Sequence, residues 1–360
     1  MESPVTYKEI MSRIDAFDPR EYERTRNYQD GGISGLSPYL SRGVISTRQL
    51  YIALASRYGE QACSGFLKQL LWREFFQQRL SGGLLAQAPH PESNRAVGMP
   101  AAVLRAATGI SAIDGGIRKL YEQGYMHNHV RLYTAALCGT AGYRMELPAR
   151  WMYYHLLDGD VASNTGSWQW VAGMLTGKRY MANQANINHY CSTSQRDTVL
   201  DIDYDALALL PGIAALSEST DIAFASVLPQ TPLPTLDSRA VLLYTNYSLD
   251  PLWHAEGDYN RVLLLDIEHY GSYPVSEKVM AFTLALARNI DGIQVYTGSY
   301  SQLRSAYPEN RFIIREHPLF SYPGAETEPR EWLAGRIKNA GVSYTKYYKA
   351  IQNEYHGTFI

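Results

Sequence analysis

Residues 156–170 read LLDGDVASNTGSWQW, so that two carboxylates, Asp158 and Asp160, and the amide of Asn164 sit among Leu156, Leu157 and Val161, with Trp168 and Trp170 following at once. A carboxylate inside apolar sequence needs a cation or hydrogen-bond donors. The nearest candidate is Arg131, three residues after Asn128 in the stretch GYMHNHVRL (124–132). Residues 69–80, QLLWREFFQQRL, repeat the theme. Gln69, Trp72, Arg73 and Phe76 share one helix face at i, i+3, i+4 and i+7, and an amide, an indole and a guanidinium on one face require partners or a ligand. In ISGLSPYLSRGVISTRQL (33–50), Ser34 and Ser37 flank Gly35 in a tight turn just before a helix. Hydroxyls and free amides at such a place suit a phosphate. The plainer alternatives are a helix cap at Ser34–Ser37 and core packing at Trp72.

Outward from these segments, residues 1–200 read as helical. Apolar positions recur at three- and four-residue spacing in 47–58, 65–80, 113–123, 126–137 and 151–157. The run LPQTPLP (228–234) reads as linker, within a linker region 201–238. Beyond it, short apolar runs at 240–246, 261–267, 292–298 and 311–316 alternate with helical patterns at 275–289 and 301–307. Strands alternating with helices argue a small parallel sheet. The expected class is α + α/β: an all-α domain over 1–200, then an α/β domain over 239–360.

Composition narrows the function. With 46% apolar and 19% charged residues the chain can bury a large core and is not disordered. No apolar stretch is long enough for a membrane span and the N-terminus, MESPVTYKEI, lacks a signal-peptide core, so a cytoplasmic protein is expected. Three scattered cysteines make neither a disulfide framework nor a cluster site. Residues 1–200 carry 21 Lys and Arg against 16 Asp and Glu, and residues 201–360 carry 12 against 19. The basic half is dominated by Arg, the better phosphate clamp, which hints at a phosphate-bearing ligand or nucleic acid. There is no G-x-G-x-x-G, H-E-x-x-H or G-x-S-x-G. GMLTGKR (173–179) has the wrong glycine spacing for a phosphate loop and Arg179 where Ser or Thr must reach a metal. His127 and His129 lie at i,i+2, on opposite sides of a helix, so no metal site is expected.

Taken in order, GxSxLSPYLxxGxxS (here with Ser34 and Ser46), LLWREFF, TGISAID (108–114), GYMHN (124–128) and LLDGDVASNTGSWQW resemble the FAD-binding domain of DNA photolyases and cryptochromes over about residues 20–180. The resemblance implies a photolyase-type all-α domain holding FAD in a folded conformation. It places Tyr22, Ser34, Gly35, Leu36 and Ser37 at the diphosphate, and Phe66, Arg73, Asp158, Gly159 and Asp160 at the ribityl, adenine and ring portions. Asn164 matches the residue facing the flavin N5, where Asn is the photolyase-like choice and Asp the plant-cryptochrome one. Arg131 with Asp158 resembles the family's buried ion pair beside the ring, next to Asn128. Gln69, Trp72, Asn128, His129 and Arg26 fall on the DNA side, where a flipped pyrimidine dimer would lodge.

Departures from the family's pattern set further expectations. Ile33 stands at a usual Thr, and Gln69 at the Glu that marks cyclobutane-dimer enzymes. Asn128 and Leu132 stand where (6-4) photolyases carry their catalytic histidines. Of the electron-transfer tryptophans only Trp168 remains, with Met145 at the middle position; Trp151, Tyr143, Tyr153 and Tyr154 are candidate substitutes. The α/β unit follows the FAD domain instead of preceding it, which argues against an antenna chromophore. The expected function is light-driven repair of pyrimidine dimers in DNA by electron transfer from reduced flavin, with Asn164, Gln69, Trp72, Trp168 and Asn128 carrying it. The alternatives are a cryptochrome-like photoreceptor and a flavoprotein of dark redox chemistry.

Overall fold

The computed structural model describes residues 3–83, 95–335 and 343–354. The chain opens with α1 (Tyr7–Ala16), closed by a reciprocal Thr6–Glu9 cap, and α2 (Pro19–Thr25), started by Asp18 and Pro19. The Ser34–Gly35 turn leads into α3 (Ser37–Ser41), and Ser46 with Gln49 caps α4 (Thr47–Tyr58). The long α5 (Ser64–Ser81) follows. Then come β1 (Met99–Pro100), α6 (Ala101–Leu104), α7 (Ser111–Gln123), α8 (Asn128–Thr140), α9 (Glu146–His155) and α10 (Val161–Val171). α11 (Gln184–Cys191) and α12 (Tyr204–Ala208) complete the helical part.

The spacing pattern found these helices with shifted ends. α8 starts at Asn128 and not at Met126, because His127 is extended and its Nδ1 accepts the His129 amide as a cap. α9 begins at Glu146 and not at Trp151, with Pro148 in its first turn, where a missing N–H costs nothing. Gly124, left-handed at φ +65°, ends α7.

The stretch expected as linker is partly structured. It contains α12 and β2 (Ser219–Thr220), which pairs antiparallel with β1 inside the helical part. Residues 221–240 carry no helix or strand but do not hang free. Thr297 donates its amide to Thr231 Oγ1 (2.7 Å) and its hydroxyl to the Pro229 carbonyl (2.6 Å), and Gln294 joins both backbone groups of Thr235.

The sheet has five parallel strands in the order β5-β4-β3-β6-β7: β3 (Val241–Tyr244), β4 (Asn260–Asp266), β5 (Ile293–Gly298), β6 (Phe312–Arg315) and β7 (Glu326–Glu328). α13 (Ile267–Ser272) and α14 (Glu277–Ala287) connect β4 to β5, and α15 (Tyr300–Ala306) connects β5 to β6. Val241, Leu243, Val262 and Leu264 pack with Tyr300 and Leu303 on one face. The alternate residues Leu242, Tyr244, Leu263 and Leu265 share a core with Val279, Phe282 and Leu286 of α14 and with α1, α4 and α5. Burial on both faces is what makes the strands read as unbroken apolar runs. A second core lies among α6 to α12 and takes in Met99, Ile213 and Leu216.

Two junctions fasten sheet to helices. Arg42, fully buried, donates Nε to the Leu157 carbonyl (3.1 Å) and accepts the Leu249 amide (2.9 Å). Glu74 of α5 accepts Leu333 N (2.6 Å), Ala334 N (3.1 Å) and Thr47 Oγ1 (2.8 Å). The chain end leaves the sheet: α16 (Tyr344–Glu354) packs on α5 through Tyr347 and Ile351. All three cysteines are buried and unbonded.

Candidate functional site

α5, α8 and α10 wall a cleft of about 640 Å³, a size usual for a small-molecule site. The α5–α10 apposition is tight because Gly166 gives it room: a Cβ there would stand 2.2 Å from the Phe76 ring. The shared face of α5 expected from sequence forms one wall, with Gln69, Trp72, Arg73 and Phe76 all on the cleft.

Both carboxylates of the DGD stretch find cations. Arg131 Nη2 lies 3.1 and 3.0 Å from the two oxygens of Asp158, and its Nε donates to the Met126 carbonyl (2.7 Å). Arg73 Nη2 lies 3.2 Å from Asp160 Oδ2, which also accepts Gln77 Nε2 at 3.0 Å. Asp160 doubles as the cap of α10, taking the Ser163 amide at 2.7 Å. Burial alone would raise the Asp160 carboxyl; Arg73 and the Ser163 amide outweigh it and hold it well below the usual carboxylate range. Asn164 gives Nδ2 to the Ala149 carbonyl (2.9 Å). That bond leaves Oδ1 to accept from a ligand N–H.

At one end of the cleft Ser34, Gly35 and Ser37 form the expected turn. Gly35 is left-handed at φ +61°, and a Cβ would stand 3.0 Å from Arg13 Nη1, which donates to the Gly35 carbonyl. Pro38 has no N–H and the Tyr39 and Leu40 amides are taken by the Leu36 carbonyl, so the turn offers a ligand its two serine hydroxyls and the Ser37 amide. Tyr22 and Phe66 meet edge to face at 5.2 Å beside it. Arg26, Gln69, Trp72, Asn128 and His129 line the same cleft, with Arg26 beside the Tyr22 hydroxyl.

Two expected cofactor residues stand back from the cleft. Leu36 is fully buried in the core under the turn, its amide bonded to Ser34 Oγ (3.2 Å). Gly159 turns its carbonyl to Ser41 Oγ (3.1 Å), and its lack of a Cβ serves packing against the Leu156 and Tyr153 carbonyls. Trp168 lines the cleft, but among the described residues no ring contact joins it to Trp151, Tyr143, Tyr153 or Tyr154. Trp151 instead donates its indole N–H to Tyr121 (3.0 Å), and Met145 is buried. Four residues not assigned to a site from the sequence also line the cleft: Tyr125 and His127, both within GYMHN, and Trp170 and Tyr180, whose rings meet at 5.5 Å.

His127, on the cleft, is 5% exposed and its Nε2 has no partner. Burial pushes His127, His129 and His155 down to about 4 and His269 to about 3, because imidazolium loses its hydration. The unfolded chain takes up protons near pH 6.5 that the folded chain refuses. Stability present above pH 6.5 is therefore lost as pH falls toward 4, at up to about 1.4 kcal/mol per pH unit for each histidine. Denaturant midpoints should drop in the order pH 7.5, 6 and 5. Equal midpoints would contradict the burial of neutral imidazoles.

A part-buried acceptor, paired guanidiniums, a turn with two hydroxyls and aromatic walls together fit a flavin dinucleotide. Residues 66–199 match the FAD binding domain of DNA photolyase. The deoxyribodipyrimidine photo-lyase of Synechococcus sp. is 31% identical over 187 residues, 45% of this chain and 37% of that protein. Its counterpart in Vibrio cholerae is 32% identical over 175 residues, 42% and 36%. A cryptochrome of Synechocystis sp. aligns with TM-score 0.43 and 25% identity, covering 51% of this chain and 43% of its own. The matched part of the chain spans less than two fifths of the length of these curated relatives. Among the described residues no helix is long and apolar enough to cross a membrane and no metal-binding group of side chains occurs.

Proposed function

We infer that this chain, which belongs to the DNA photolyase and cryptochrome family through its FAD-binding helices, is a light-driven enzyme that splits pyrimidine dimers in DNA. The observation that carries the reading is the joining of two chemistries in one cleft: ion-paired carboxylates with a free amide oxygen at Asn164, and an amide–indole wall at Gln69 and Trp72.

FAD, when bound and reduced, supplies the light-excited electron that the dimer accepts and returns. The protein's part is to hold and tune it. Ser34, Gly35 and Ser37, with the Ser37 amide, would hold the diphosphate. Arg73–Asp160 and Arg131–Asp158 would fix the charge around the flavin, and Asn164 Oδ1 would be open to accept a hydrogen bond from it. Phe66, Phe76 and Met152 exclude water. Gln69, Asn128 and His129 donate hydrogen bonds to the dimer, Trp72 packs on it, and Arg26 meets a phosphate.

The test is repair. Photoreduced protein is illuminated with an oligonucleotide carrying one cyclobutane dimer, and restored strand is compared with a dark control. Restoration in light only supports the reading; none, with FAD bound, shifts the weight to (6-4) lesions and then to a photoreceptor without repair. Gln69, in place of the Glu of dimer enzymes, is the observation that favours this second reading. Gln69→Ala should cut repair yield at least several-fold while bound FAD stays at the wild-type level. Unchanged yield would remove Gln69 from the lesion site.

A further inference from the structure

The cleft wall does not stop at α5. Trp72 stacks on Tyr344 of α16, ring centroids 3.8 Å apart and planes within 9°. Tyr348 continues the row, 6.0 Å from Tyr344 at 23°. Three rings thus run outward from the cleft along the C-terminal helix. Tyr347, whose ring packs at 5.4 Å on Phe75 and whose hydroxyl accepts Gln78 Nε2, and Ile351 are buried beneath the row, and Tyr344 and Tyr348 pack against the same core while keeping part of their surface open. Trp72, Tyr344 and Tyr348 stay partly exposed, and Lys68, Lys346 and Lys349 are exposed around them. The Tyr344 hydroxyl donates to the Lys68 carbonyl (2.8 Å), holding ring and lysine side by side.

Partly exposed rings with cations at their edge are how proteins hold single-stranded nucleic acid: bases stack on the rings and phosphates meet the charges. We propose that the rim Trp72–Tyr344–Tyr348, with Lys68, Lys346 and Lys349, carries the stretch of single-stranded DNA that adjoins the cleft. The proposal rests on the cleft being a lesion pocket. It adds that part of the DNA surface comes from α16, outside the residues matched to the FAD domain.

The experiment is fluorescence anisotropy of a labelled, undamaged oligothymidylate of roughly 16 nucleotides, titrated with the full chain across a salt series. Lys346→Ala/Lys349→Ala should flatten the slope of log K against log salt by about 0.7 per lysine, and Tyr348→Ala should weaken binding roughly five-fold or more at an unchanged slope. These side chains are exposed or at the rim, so FAD content and helicity should stay as in the wild type. Variants that bind with wild-type affinity and slope overturn the proposal and leave the lesion reading standing. Wild-type protein that holds no DNA overturns both.

Discussion

Gly166→Ala should cost the protein about 2–3 kcal/mol of stability and most of its FAD. The added methyl would stand 2.2 Å from Phe76 Cδ1 and 2.5 Å from Cε1. Phe76 is 5% exposed and held by Trp72 and Phe75 at 5.4 and 5.5 Å, and the one side left open to it is the cleft. Either the helices part, which separates Arg73 from Asp160, or the ring turns into the cleft and takes the flavin's space. Denaturant melts and flavin absorbance read both effects. Gly166→Ala/Phe76→Leu should recover much of the loss, because the smaller side chain returns the space. Full stability and full flavin in Gly166→Ala would show that the helices are not locked at this point.

The second large effect is expected at Glu74→Ala, at about 3–5 kcal/mol. Glu74 is 2% exposed and takes the Leu333 and Ala334 amides on its two oxygens. Its removal strands both amides and the Thr47 hydroxyl in a dry interior, and takes from Arg330 the neighbouring carboxyl, which burial itself raises above the usual carboxylate range. Burial already draws Arg330 down to about 10. Glu74→Gln keeps one carbonyl acceptor and should lose about half as much. Proteolysis should then cut first in the segment around 330–334. A loss below 1 kcal/mol in Glu74→Ala would mean that the segment is held by other contacts.

Much of this architecture is legible in the sequence where a local rule has one solution. The shared face of Gln69, Trp72, Arg73 and Phe76 follows from helical spacing alone, and the structure puts all four on the cleft. Arg131 was the nearest cation to Asp158 and is its partner. The partner of Asp160, Arg73, lies 87 residues earlier on α5, and no local pattern links them. Tertiary approach also hid the roles of the glycines: Gly159 looked like a ligand contact and serves backbone packing. The edge strand β7 escaped because three residues, Glu-Thr-Glu, carry no apolar alternation. α16 escaped because its aromatic stripe has meaning only against Trp72 and Phe75.

The most direct test of the account is the flavin content of the purified chain, released by denaturation and measured by absorbance. The account predicts about one FAD per wild-type chain, and a large loss in Arg73→Ala/Asp160→Ala, which removes both members of the pair and strands no charge. Wild-type protein that binds no FAD, or a double variant that keeps it all, would contradict the assignment of this cleft.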